Sequence, residues 1–169
     1  NLLLISKNEN ACLHVIDSAH PEYSQGDDPI LLRVGALSKI DQIGVGTENT
    51  SIPRSDLFGS EPAHDWCYYY QKAQLARQQR DWKQAAKLGE EALAGGLSPN
   101  DPMEWLVFLQ AFAYQNDDNY GKVLGEVIAD AYTHKQSCSV FTTYTKEFAG
   151  SPLTDKHRKL LQDTCTAGN

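Results

Sequence analysis

No apolar run in the 169-residue chain reaches the roughly 18 to 20 residues needed to cross a bilayer, although Leu2-Leu3-Leu4-Ile5 could follow directly on a removed spanning helix. A basic stretch followed by an apolar region and a small-residue cleavage site is also missing, and residue 1 is Asn. A processed product or an excised piece is therefore expected. The chain has no basic stripe. Residues 1–60 hold 4 Lys/Arg against 8 Asp/Glu, the remainder holds 11 against 14, and the net charge is -7, so nucleic acid is not an expected partner. No C-x-x-C pair occurs, which argues against a thiolate zinc site or a thioredoxin-type dithiol. There is no Gly-x-Ser-x-Gly elbow, no phosphate-cradling glycine loop and no His-Glu-x-x-His string. Gly44-Val45-Gly46 lacks the third glycine of a dinucleotide fingerprint. No catalytic residue, cofactor or metal is expected on these grounds.

Four cysteines are present: Cys12, Cys67, Cys138 and Cys165. They allow three full pairings in an oxidising compartment, or four buried thiols acting as small hydrophobes. Among the pairings Cys138 with Cys165 is favoured, because the two bracket a proposed terminal hairpin and a bridge there would stabilise by roughly 3 kcal/mol.

Residues 1–6, 11–17 and 29–36 read as short strands, being apolar or alternating runs bounded by Asn, Asp, Pro and Gly. Ser38 is placed to cap a single helical turn. Residues 44–60 are rich in Gly, Thr, Ser, Asn and Pro and read as a connecting loop. Within it, Asn49-Thr50-Ser51 is a formal glycosylation acceptor whose plain reading is a turn. The domain boundary falls there, giving a small β-containing subdomain at 1–60 and a helical domain at 61–169.

From Glu61 the apolar period becomes helical. Trp66, Tyr69, Tyr70, Ala73 and Ala76 stripe a first helix. Asp81 caps a second, striped by Trp82, Ala85, Ala86, Leu88, Gly89, Ala92 and Leu93 and stopped by Gly95-Gly96. Two helices so closely joined lie antiparallel. Asp101-Pro102-Met103-Glu104 marks the clearest helix start, with Asp capping, Pro in the first turn and Glu reaching back as in a capping box. Trp105, Phe108, Ala111, Phe112 and Tyr114 stripe that third helix. The chain turns at Asn116–Asn119, and Tyr120, Val123, Leu124, Val127, Ile128 and Ala131 stripe the fourth. The tail repeats the pattern more weakly, with Phe141, Tyr144 and Phe148, a stop at Gly150-Ser151-Pro152, and a final helix capped by Thr154 and carrying Leu160-Leu161. It reads as a closing hairpin with a polar outer face.

Superposing Asp81-Trp82 on Asn119-Tyr120 aligns the two hairpins at a period of 38 residues. Ala73, Trp82, Ala85, Ala92 and Leu93 then give small and aromatic positions that resemble the tetratricopeptide repeat over about residues 64–132. The family's Trp-x-x-Leu-Gly-x-x-Tyr string stands here as Tyr69-x-x-Lys72-Ala73-x-x-Ala76, and the period exceeds the family's 34 residues. The resemblance implies a mostly α fold of tetratricopeptide-like stacked hairpins.

A narrower resemblance lies in His64-Asp65-Trp66-Cys67-Tyr68-Tyr69-Tyr70, in Leu75-Ala76-Arg77-Gln78 and Asp81-Trp82, and in Leu97-Ser98-Pro99-Asn100-Asp101-Pro102 before Glu104-Trp105. The string is similar to the soluble C-terminal domains that follow the membrane spans of some bacterial polytopic proteins, including glycosyltransferases of the lipid-linked sugar type. This resemblance implies an extracytoplasmic domain tethered to a membrane in its parent protein, where disulfides would form. It carries over no catalytic residue.

In tetratricopeptide-like arrays the first helix of each hairpin lines a concave surface. Its outward positions here are Tyr70, Gln74 and Arg77, then Trp105, Phe108, Phe112 and Gln115, a groove suited to a peptide or a sugar face. The alternative for Trp105, Phe108 and Phe112 is that they pack inside the fold. A competing class is a soluble metal-dependent hydrolase centred on His64 and Asp65, which would need His14 or His20 and Asp130 as further ligands. The plainer reading of Asp65 is a helix cap.

Overall fold

The computed structural model describes residues 2–20, 29–43, 55–61, 63–147, 150 and 153–166. The acceptor triplet at 49–51, the glycine pair at 44–46 and Phe148 lie outside them.

The chain is mostly α with a small antiparallel sheet near its start. Strand β1 (Ile5–Ser6) pairs with β2 (His14–Val15), Ile5 opposite Val15 and Ser6 opposite His14. The third expected strand is a correction: Pro29–Arg33 forms α1, followed by a 3-10 turn at Gly35–Leu37. A short apolar run such as Ile30-Leu31-Leu32 fits a strand or one helical turn equally well, so its period could not decide. Ser38 caps no helix. Its hydroxyl accepts from Leu4 N–H at 3.2 Å, and the 3-10 turn at Ile40–Gln42 has no side-chain cap. Inside the expected loop, Ser55–Phe58 forms a single helical turn, α2.

The helical part begins with α3 (Trp66–Gln78) and α4 (Trp82–Ala94). Asp65 accepts from Tyr68 N–H at 3.0 Å and Asp81 from Gln84 N–H at 2.9 Å, so each helix starts on a carboxylate that pairs a free first-turn donor. Three helix ends share one stop. Arg80, Gly96 and Asn116 take φ of 59, 69 and 54°, and the next residue's N–H reaches back to the carbonyl of Ala76, Ala92 and Phe112 respectively. Each stop reverses the chain.

Asp101 opens the second hairpin, accepting from Met103 N–H at 2.9 Å, and a 3-10 turn at Pro102–Trp105 leads into α5 (Leu106–Gln115). Helix α6 (Tyr120–Ala129) returns beside it. Helices α7 (Ala131–Glu147) and α8 (Thr154–Thr166) form a third pair, and α8 also touches α5. Each helix from α3 onward packs on its successor.

One core runs through all of this. Ala73, Ala85, Leu106, Phe108, Phe112, Val123, Phe141 and Leu160 are fully buried, and Cys12 of the N-terminal segment belongs to the same cluster. Two disulfides reinforce it. Cys12–Cys67 ties the N-terminal segment to α3, and Cys138–Cys165 ties α7 to α8, with Cα separations of 5.2 and 5.5 Å.

Candidate binding cleft

Glu104 is the polar hub beneath the β hairpin. It is 1 % exposed and accepts from Cys12 N–H at 2.7 Å and from Trp66 Nε1–H at 2.5 Å, with His14 Nε2 at 3.3 Å. Cys12 Sγ lies 3.2 Å from its other oxygen, but half of a disulfide has no proton to donate, so this is a contact. The expected capping-box role is thereby corrected. Glu104 faces inward and joins the N-terminal segment, α3 and the start of α5 through charge-assisted hydrogen bonds.

Beside this hub lies a chain of polar side chains on α3. Arg77 donates from Nε to Gln74 Oε1 at 2.8 Å, and Gln74 Nε2 donates to the Tyr70 hydroxyl at 3.1 Å. The Arg77 guanidinium also meets Asp17 at 3.5 Å, both groups being buried. Burial, reinforced by the negative charge of Glu104, pushes the Tyr70 phenol well above its usual range. The Tyr70 ring lies 5.5 Å from that of His14. These contacts fix the position of the hairpin over α3.

A cleft of about 290 Å³ opens between them. Leu13, His14 and Val15 line it on the hairpin side, with Ile43 nearby. On the α3 side it is lined by Tyr68, Tyr70, Gln71, Lys72, Gln74, Leu75, Arg77 and Gln78. Apolar side chains and amides thus share the wall, and among the described residues no carboxylate lines it.

The expected groove divides. Tyr70, Gln74 and Arg77 meet in this cleft. Trp105, Phe108 and Phe112 do not, and their placement is a correction: they are 5, 0 and 0 % exposed, with Trp66 at 4.7 Å from Trp105 and 5.2 Å from Phe108. Helix α5 is buried from Leu106 through Phe112, so it has no outward aromatic face in that stretch. Gln115 is exposed and lines a separate hollow with Asp81, Lys83 and Glu90.

His64 and Asp65 are both exposed. His64 bonds Glu61 at 2.9 Å and stacks on Tyr68 at 3.5 Å, while Asp65 caps α3. Asp130 caps α7 through Thr133 N–H at 2.7 Å. Among the described residues, the side chains that come close enough to hold a metal are instead His14, Asp101 and Glu104, whose ligand atoms lie within 4.8 Å of one another. Both carboxylates there already accept backbone or indole N–H groups, which an entering cation would have to displace.

Sequence reasoning missed His14, Lys72 and the β2 edge as cleft residues. The available signal was the alternation in Leu13-His14-Val15, which puts one residue on the buried face and leaves its neighbours at the side. No protein-family model matches this chain, and neither a curated protein nor a solved structure is significantly similar to it.

Proposed function

We propose that this chain is a non-catalytic interaction domain that binds a protein or glycan ligand in the cleft between β2 and α3. The observation that carries this reading is the cleft itself: Tyr70, Gln74 and Arg77 are held in one hydrogen-bonded row along a concave wall that mixes apolar surface with amides. Such walls suit ligands with a regular pattern of polar groups.

The setting is an extracytoplasmic, tetratricopeptide-like accessory domain of a membrane-embedded glycosyltransferase. Two features support it. All four cysteines are paired in disulfides, which persist in oxidising compartments. The first hairpin carries small side chains at buried positions, Ala73 on α3 and Ala85 and Ala92 on α4 being fully buried.

The test is titration of the isotope-labelled, disulfide-intact chain with panels of peptides and oligosaccharides, read by amide chemical shifts. Shifts confined to Leu13–Val15 and Gln71–Gln78, and lost in Gln74→Ala, are expected. Saturable binding elsewhere on the surface would sink the assignment of the cleft. The gene sequence ahead of Asn1 tests the tether, since repeated apolar segments of about 20 residues are expected there.

A further inference from the structure

The backbone of β2 indicates which kind of ligand the cleft accepts. In the antiparallel ladder Ile5 faces Val15, Ser6 faces His14, and Ile16 N–H donates to Leu4 C=O at 3.0 Å. Hydrogen-bonded and non-hydrogen-bonded pairs alternate along such a ladder. Ile16 is in a bonded pair, so Val15 is in a non-bonded one, and its N–H and C=O point away from β1. Leu13 has the same parity. Both residues line the cleft, which therefore runs along the edge of β2 that faces away from β1, an edge no strand pairs with among the described residues, with α3 as its far wall.

We propose that the cleft takes an extended, acidic peptide segment, which adds to β2 as a third strand. This deepens the binding function proposed above and rests on it. An open strand edge is a template for another backbone, with main-chain hydrogen bonds supplying affinity and alternate side chains supplying selectivity. Across from that edge, Gln71, Gln74 and Gln78 recur along one row of α3. Seven residues of helix rise about 10 Å, the length of about three residues of strand. The recognised core is thus about three residues long. Leu13, Val15 and Leu75 give its apolar side chains a floor.

The charge of the peptide follows from the wall. Arg77 is buried and paired with Asp17, so the charge is set by Lys72, which is exposed at the rim, with no carboxylate lining the cleft among the described residues. A sugar is the weaker fit, because the Tyr68 ring is already stacked on His64 at 3.5 Å and has the Lys72 ammonium 5.8 Å from its centre. The ring offers little open face for a pyranose.

The experiment titrates the labelled, oxidised chain with a capped synthetic hexapeptide in which glutamate alternates with valine. Expected are large amide shifts at Leu13 and Val15, with cross-strand contacts between peptide and β2. The same peptide N-methylated at every residue, which leaves neither edge able to pair with a strand, should not bind. A lysine-for-glutamate version should also fail, and Lys72→Glu should weaken binding about fivefold. Equal binding of the methylated peptide would overturn strand addition, and equal binding of the lysine version would overturn the charge preference. Chitotriose and a hexuronate trimer run in parallel separate this inference from its parent: cleft shifts with a sugar but not the peptide overturn the peptide alone. Silence from every probe overturns both.

Discussion

A Cβ placed on Gly89 would fall 2.6 Å from Cδ1 of Phe108, inside any distance that two carbons tolerate. The same atom would meet Phe112 Cζ at 2.7 Å. Helices α4 and α5 therefore approach so closely at this point that only glycine fits between them. Gly89→Ala improves helix propensity by about 1 kcal/mol. It is nevertheless expected to destabilise the fold by about 1–3 kcal/mol through overpacking against two fully buried rings. Urea denaturation of the two proteins checks the sign, and a stabilised variant would show that the rings have room to move.

Arg80 is the opposite case. It takes a left-handed φ of 59° at an exposed turn, where a side chain costs about 1 kcal/mol. Arg80→Gly is expected to raise stability by up to about that amount, seen as a higher melting temperature. An unchanged or lower value would mean that the Arg80 side chain contributes contacts of its own.

Glu104 joins three segments, so truncating it should cost more than a typical core change. Glu104→Ala leaves the Cys12 amide and the Trp66 indole without their buried acceptor, and a loss of about 2–5 kcal/mol is expected. Trp66 fluorescence should shift with it. Full retention of stability would show that water replaces the carboxylate.

His157 is fully buried, its Nε2 lies 2.5 Å from the Tyr114 hydroxyl, and burial pushes its pKa down from 6.5 to about 4. A lowered histidine pKa means that the unfolded chain takes up the proton first as pH falls. This group's contribution is therefore complete above about pH 6.5 and is lost progressively toward pH 4. Carboxylates titrate nearby, so the readout is a difference: the gap in melting temperature between wild type and His157→Phe should narrow between pH 7 and pH 4.5. A constant gap would exclude the mechanism.

Each disulfide is expected to contribute on its own. The Cys138–Cys165 bridge spans 27 residues and Cys12–Cys67 spans 55. Removing them as Ser pairs should cost about 3.5 and about 4 kcal/mol respectively by loop closure. Equilibrium unfolding of the two double variants measures both, and a loss below 1 kcal/mol for either would show residual order in the unfolded chain.

Much of the helical part was legible because its signals are local. Asp65, Asp81 and Asp101 each sit directly before a helix and accept a first-turn N–H, which neighbouring residues alone can specify. The faces of α5 were not legible. Nearly every residue from Leu106 to Phe112 is apolar, so the period carries no direction, and an aromatic stripe looks the same whether a helix is half covered or wholly enclosed. Glu104 was opaque for a related reason. Its partners, Cys12 and Trp66, lie 92 and 38 residues away, while the cap it resembles is three residues back. The cleft was half legible, since α3 supplied Tyr70, Gln74 and Arg77, but its other wall is a two-residue strand whose place depends on tertiary contacts.

The Cys12–Cys67 bridge has one further consequence. It fastens the segment just ahead of β2 to the first turn of α3, so the two walls of the cleft are hinged on a covalent pin. A ligand bound as proposed would meet a gap whose width is already set, and would lose little affinity to ordering the host. Under reducing conditions that pin opens, and grip should slacken before the helices themselves melt.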